Sequence, residues 1–262
     1  MKVPYFQVAA FTRDPFSGNP AGVCLVDQWL PDAELQRIAF ENNLSETAFV
    51  VREKKSFALR WFSPTVEVDL CGHATLAAAH VVGQHLGFSE PWRFHTKSGL
   101  LTVTRTDELL TLDFPARPGE VVEAAPAELD GLGDTPQAVL KSRDYVAVFS
   151  SEQQVRALRP DFARLAGLDC LGIIATAPGD DADFVSRFFA PSAGVNEDPV
   201  TGSAHCTLVP YWAQRLDRER LFARQVSERG GELWCELRGD RVLIAGHAVT
   251  YLEGQILLPV RK

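Results

Sequence analysis

The chain repeats itself at close to half its length, and this limits its fold more than any other feature. Residues 57–65 read FALRWFSPT, and residues 184–192, 127 positions later, read FVSRFFAPS. Phe57/Phe184, Arg60/Arg187, Phe62/Phe189 and Pro64/Pro191 are identical, while Trp61/Phe188, Ser63/Ala190 and Thr65/Ser192 are conservative pairs. The same offset sets residues 38–50 on 165–177, with Ala39/Ala166, Leu44/Leu171 and Ala48/Ala175 in register. Past a three-residue insertion the match resumes at an offset of 130, through Gly72/Gly202, Ala74/Ala204, Gln84/Gln214 and Leu86/Leu216. Solenoid repeats are roughly 20–50 residues long, so one repeat of this size marks a duplicated domain instead. The expected organisation is a first domain over residues 1–118, a second over 137–262, and between them a connector, 119–136, rich in Pro, Ala, Gly and Glu.

Each half reads as an α/β unit. Residues 5–10 and 22–26 have β character on either side of a turn-rich loop, Asp14-Pro-Phe-Ser-Gly-Asn-Pro-Ala. Residues 32–42 have helical periodicity, with Leu35, Ile38 and Ala39 on one face and Asp32 placed to cap. Residues 47–52, 56–62, 100–106, 109–114, 233–237 and 241–245 favour strands. Residues 74–86 and 204–216 predict helices that are apolar around most of their circumference, and such a helix is buried on all sides. The architecture this implies is a central helix enclosed by a curled sheet, made twice.

Composition removes several function classes. Lys and Arg number 26 against 34 Asp and Glu, a net charge of −8 without a basic run, which argues against a nucleic-acid partner. No stretch reaches the ~20 apolar residues of a membrane span, and the N-terminus reads as a β segment rather than a secretion signal. Five scattered cysteines (Cys24, Cys71, Cys170, Cys206, Cys235) fit reduced thiols in the cytoplasm better than a disulfide framework. Neither Cys71/His73 nor the adjacent His205-Cys206 has zinc-site spacing, so no metal is expected. Nucleotide-binding glycine motifs and a G-x-S-x-G elbow are both absent, so no nucleotide cofactor and no serine triad are implied.

Candidate chemistry gathers at the starts of the two apolar helices. Cys71-Gly72-His73 and Thr201-Gly202-Ser203 each present unpaired backbone N–H groups at the positive end of a helix dipole. If the halves are related by a pseudo-twofold axis, both starts face one interdomain cleft, suited to a small carboxylate. The plainer reading is that Gly72, Gly202 and Ser203 only cap helices. Where the halves differ, chemistry becomes possible, since scaffold should match between copies and chemistry need not. Glu46 aligns with Ile173: it is either an exposed strand-edge residue or an acid held at a site. The three-residue insertion introduces Asn196-Glu197-Asp198-Pro199, with Asp198 either a turn residue or a cleft acid. Asn19, in Gly-Asn-Pro, fits a cleft lining or an ordinary turn.

Gly18-Asn-Pro-Ala-Gly-Val23, Ser45-Glu-Thr-Ala-Phe-Val50, Phe62-Ser-Pro through Cys71-Gly-His-Ala-Thr75, and Glu197-Asp-Pro-Val-Thr-Gly-Ser-Ala-His205 together resemble the PhzF-like (phenazine biosynthesis) isomerase family. The match runs in order over essentially the whole chain. The resemblance implies the diaminopimelate epimerase-like fold, each domain a β-barrel around a central helix, and a cofactor-free isomerase, commonly a homodimer, acting on a small carboxylate. It places the family's catalytic glutamate on Glu46, its site histidine on His73, its aspartate on Asp198 and its helix-start serine on Ser203. Related epimerases use two cysteines. Here Cys71 keeps the first position and Thr201 stands at the second, where a hydroxyl without a strong base is no proton acceptor. A single base fits a shift of a proton between carbons, with burial raising Glu46 toward working pH. Two alternatives stay open: an epimerase pairing Cys71 with an acid, and a non-catalytic binder of small acids.

Overall fold

A computed structural model of the protein describes residues 1–259. The chain divides into two compact units, Met1–Asp113 with the returning segment that begins at Ala245, and Phe114–Ile244. The first unit opens with β1 (Lys2–Ala10), antiparallel to β2 (Asn19–Val26). In the loop between them the Asp14 N–H donates to Thr12 Oγ1 over 2.9 Å. Gly18 has φ +67°, and a Cβ there would run into the Ala10 carbonyl oxygen, so only glycine fits. Asn19 is therefore not a turn residue: it is fully buried, the first residue of β2, paired with Ala10.

Helix α1 (Asp32–Asn42) buries Leu35, Ile38 and Ala39, the face its periodicity indicates. Its cap position belongs to Pro31, and Asp32 lies in the first turn, where its carboxylate accepts a hydrogen bond from Arg60 over 2.9 Å. β3 (Glu46–Arg52) runs parallel to β2 and antiparallel to β4 (Phe57–Phe62), whose end pairs with β5 (Glu67–Val68). After α2 (Gly72–Gln84), β6 (Trp92–Thr96) lies parallel to β4, and β7 (Gly99–Thr106) and β8 (Leu109–Pro115) follow antiparallel. The strands curl around α2, of which every residue from His73 to Val82 is buried.

The second unit repeats this plan. β9 (Glu120–Val121) and a 3₁₀ turn (Ala127–Leu132) lead to β10 (Ala138–Lys141) and β11 (Tyr145–Val148). Two short helices, α3 (Glu152–Ala157) and α4 (Phe162–Leu165), stand where the first unit has α1. β12 (Ile173–Pro178) is parallel to β11 and antiparallel to β13 (Phe184–Ala190), which pairs with β14 (Val195–Asp198). After α5 (Gly202–Leu216), β15 (Arg220–Gln225) lies parallel to β13 and antiparallel to β16 (Gly231–Arg238). The order of parallel and antiparallel pairings from β2 to β7 thus recurs from β11 to β16. Matching arginines even keep the same partner. Arg60 Nε and Nη2 donate to Glu67 over 2.7 and 2.9 Å, and Arg187 makes the same two-bond fork to Glu197 over 2.8 and 2.9 Å.

Two boundaries differ from the sequence expectation. Residues 119–136 are not a free connector, because β9 pairs with β10 and both Leu129 and Leu132 are buried in the second core. The last strand does not join the second unit. From β17 (Arg241–Gly246) the chain runs into β18 (Ala248–Leu257), which pairs antiparallel with β1, with one register shift at Gln7/Val8.

Gly83 marks how closely α2 is enclosed. A Cβ there would lie 2.6 Å from Cζ2 of Trp92, a buried ring held in place by its Nε1–H bond to the Phe88 carbonyl. On an exposed helix Gly→Ala stabilises by about 1 kcal/mol. Here Gly83→Ala should instead lower stability by roughly 1–2 kcal/mol through overpacking, read as a lower urea midpoint at unchanged slope.

Candidate active site

The first unit brings three of the expected residues together. Glu46 is the first residue of β3, set beside Ala21 of β2 by the parallel register. Cys71 holds the extended N-cap position of α2 (φ −144°, ψ 107°), and His73 lies in the helix's first turn. Thr75 fixes this start by donating its hydroxyl to the Cys71 carbonyl over 2.6 Å. His73 Nε2 lies 3.2 Å from Glu46 Oε2, and Cys71 Sγ lies 3.5 Å from His73 Nδ1. Cys71 and His73 are buried, whereas the Glu46 side chain is 21 % exposed and so within reach of a solute.

Burial and pairing compete in setting the charges. Burial raises the Glu46 carboxyl, but the hydrogen bond and charge of His73, with a bond from Cys71, outweigh it and hold Glu46 below its ordinary value. The upward shift expected from burial alone is thus reversed by His73, a partner 27 residues away in the chain. Burial likewise drives the His73 imidazole toward neutrality, yet the Cys71 sulfur and the Glu46 carboxylate raise it well above its usual value. Burial and the Glu46 charge push the Cys71 thiol up to about 11, so it is protonated at neutral pH. At neutral pH the cluster holds a carboxylate and a neutral thiol, with the imidazole between them drawn toward its charged form.

In the second unit Asp198 ends β14 and accepts the Thr201 hydroxyl over 2.5 Å. The buried amide of Gln225 clamps this turn: its Oε1 accepts the Thr201 N–H (2.8 Å) and its Nε2 donates to the Asp198 carbonyl (2.7 Å). Thr201 holds the N-cap position of α5 without a side-chain cap bond, Gly202 opens the helix, and Ser203 is not its cap. The Ser203 hydroxyl instead accepts from Arg143 Nη2 over 3.0 Å, and the same nitrogen donates to buried Asp144 over 3.1 Å. His205 Nδ1 lies 2.9 Å from the Thr201 carbonyl, and burial lowers its pKa to about 4, so it is a neutral donor there. Sequence reasoning missed Gln225 and Arg143. Ser142-Arg143-Asp144, a polar step between two apolar strands, was the available signal for the second; Gln225 offered none.

A family model described as phenazine biosynthesis-like protein matches residues 8–254. The chain belongs to that family. Its relatives include an uncharacterised isomerase of Pseudomonas aeruginosa, 57 % identical, with 98 % of this chain and 100 % of the relative covered. The crystal structure of a PhzF-family protein from Enterococcus faecalis superposes with a TM-score of 0.96 at 47 % identity, covering 98 % of this chain and 100 % of that one. A hydroxyproline epimerase from Agrobacterium vitis shares the fold alone, with a TM-score of 0.64 at 10 % identity over 97 % of this chain and 92 % of that one. The fold is therefore the diaminopimelate epimerase-like α/β fold, and the protein is isomerase- or epimerase-like. Among the described residues no helix is long and apolar enough to cross a membrane.

The Glu46–His73 pair has a calculable pH signature. Lowered Glu46 contributes stability above its ordinary value of 4.5, lost as pH falls through the folded value. Raised His73 contributes stability below 6.5, lost as pH rises through the folded value. Both contributions are complete between about pH 4.5 and 6.5. In that window His73→Asn should cost about 2 kcal/mol, and urea unfolding across pH should show the difference shrinking on either side. Gln225→Leu, which takes away the acceptor of the Thr201 N–H, should lower stability by roughly 2 kcal/mol; an unchanged urea midpoint would show that the clamp holds nothing.

Proposed function

We propose that the protein is a cofactor-independent isomerase that moves a proton between two carbons of a small carboxylate-bearing molecule, with Glu46 as general acid and base. The observation that carries this reading is the ionised, partly exposed Glu46 carboxylate lying 3.2 Å from His73. At rest the imidazolium ties up the carboxylate. A substrate oxygen that takes over the His73 N–H frees the Glu46 lone pair and raises its basicity as the proton has to move. Glu46 then accepts a proton from one carbon, and the electrons of that C–H bond form a new double bond. The pair of the old double bond takes a proton from Glu46 at a second carbon, so composition does not change, and the partly exposed carboxyl exchanges its proton with solvent between the two steps. His73 stabilises charge developing on the substrate oxygen, and the N–H groups at Gly72 offer it a positive helix end.

In this reading Asp198 is the second unit's catalytic group, held by Thr201, while Ser203 and the helix start at Gly202 contact the substrate carboxylate. Asn19 has no part in it, being fully buried in β2. The epimerase alternative is less well supported: Cys71 is buried and protonated, and Thr201 is already engaged with Asp198. A homodimer belongs to the same reading and predicts a solution mass of twice 28.9 kDa.

Incubation with pooled small carboxylates in D₂O should give deuterium uptake at one carbon of one compound. Glu46→Gln should keep the fold and reduce that uptake by about 10²–10⁴-fold, and full uptake in the variant would end the proposal. Asp198→Asn and Ser203→Ala should each slow uptake without changing the urea midpoint.

A further inference from the structure

Glu46 and its two neighbours at the start of α2 form an unusual donor set: a carboxylate, a thiol and an imidazole. One donor atom from each of Glu46, Cys71 and His73 can be chosen so that all three lie within 4.8 Å of one another. His73 Nε2 is 3.2 Å from Glu46 Oε2 and 4.0 Å from Cys71 Sγ, and His73 Nδ1 is 3.5 Å from that sulfur. Zinc binds thiolate at about 2.3 Å, imidazole nitrogen at about 2.0–2.1 Å and carboxylate oxygen at about 2.0–2.2 Å. At tetrahedral angles these bond lengths separate neighbouring donor atoms by about 3.3–3.6 Å. With Nε2 as the single imidazole donor, its separations of 3.2 Å from the carboxylate and 4.0 Å from the sulfur lie on either side of that range, and a turn of the imidazole ring aims the nitrogen at a centre shared by all three.

The protein holds the three from two rigid elements, the start of α2 for Cys71 and His73 and the first residue of β3 for Glu46. Spacing rules built on two ligands in one segment overlook such a site, because its third donor arrives 25 residues earlier in the chain, on another strand. Three protein donors leave a fourth position open, the arrangement of reactive rather than structural zinc sites. The partly exposed Glu46 side chain gives an ion its way in.

We propose that Glu46, Cys71 and His73 bind a thiophilic divalent cation, Zn²⁺ foremost, and that the bound ion blocks the isomerase reaction. The metal bonds form at the sulfur, the imidazole nitrogen and the carboxylate oxygen. The thiol and imidazolium protons leave to solvent, and no electron transfer is involved. The ion occupies the lone pair that Glu46 would turn on the substrate. Hard cations such as Mg²⁺ and Ca²⁺ prefer all-oxygen donors and do not compete. The blocking effect rests on the Glu46 reading above; the binding site does not.

The test is a titration of the 262-residue chain, freed of metal by chelation, with Co²⁺ as spectroscopic probe. The expected result is one Co²⁺ per chain with a near-ultraviolet sulfur-to-cobalt band and tetrahedral visible bands, all removed by excess Zn²⁺ and untouched by Mg²⁺. Cys71→Ser should abolish the sulfur band, while His73→Asn and Glu46→Gln should each weaken affinity at least tenfold. Cys170→Ser, a partly exposed thiol of the second unit, should change nothing. A stoichiometric band absent from the parent chain, or surviving in Cys71→Ser, overturns the site. Stoichiometric Zn²⁺ that leaves deuterium uptake at full rate overturns the blocking. If no carboxylate exchanges even in chelator, the isomerase reading fails, and the cobalt spectra still decide the metal site.

Discussion

A helix without a polar side has to be covered all round, and that requirement arranges the rest of this molecule. Ten consecutive residues of α2, His73 to Val82, are buried, where a surface helix would turn every third or fourth residue to water. Only a sheet that curls around the helix supplies that much cover, and β1, β2, β3 and β18, with Trp92 of β6, do so. Side walls closed in this way leave the helix end as the place where backbone N–H groups and side chains can meet a solute. Cys71 and His73 sit at that end, and β3 brings Glu46 to them. The meeting of Glu46, Cys71 and His73 is thus a by-product of how the core of the first unit is enclosed.

Comparing the two copies separates scaffold from chemistry. The Arg60–Glu67 and Arg187–Glu197 forks have the same geometry and tie equivalent strands, so they belong to the scaffold. Thr75 and His205, at matching helix positions, use different side chains for one task, bonding the carbonyl of the residue four before. Glu46 against Ile173, and His73 against Ser203, are differences with no such shared task. One lobe therefore holds a carboxylate beside an imidazole, and its sister presents hydroxyls held by Asp198 and Arg143.

Much of this was legible in the residues, because it rests on local pattern. The duplication, the face of α1, the two buried helices and most strands follow from periodicity that tertiary contacts reinforce. Glu46 stood out because its sister position is apolar. What could not be read depended on partners distant in sequence. The direction of the Glu46 shift turned on His73, and the clamp on Thr201 on an amide 24 positions away. Asp32 and Ser203 had the right chemistry for caps, but arginines engage both. Asn19 followed a glycine that ends its turn one residue early.

The return of β18 to β1 has a consequence for how the protein is made. The second unit is complete once Ile244 has been added, whereas β1 has no partner on that side until residues 248–257 emerge. Lobes usually fold from the N-terminus onward during synthesis. Here the order is inverted: the lobe translated first finishes last, and the ribosome must carry an open β1 edge through nearly the whole of elongation. An unpaired edge of that kind invites pairing with other nascent chains, so the time between the first strand and the last is when this protein most needs chaperoning.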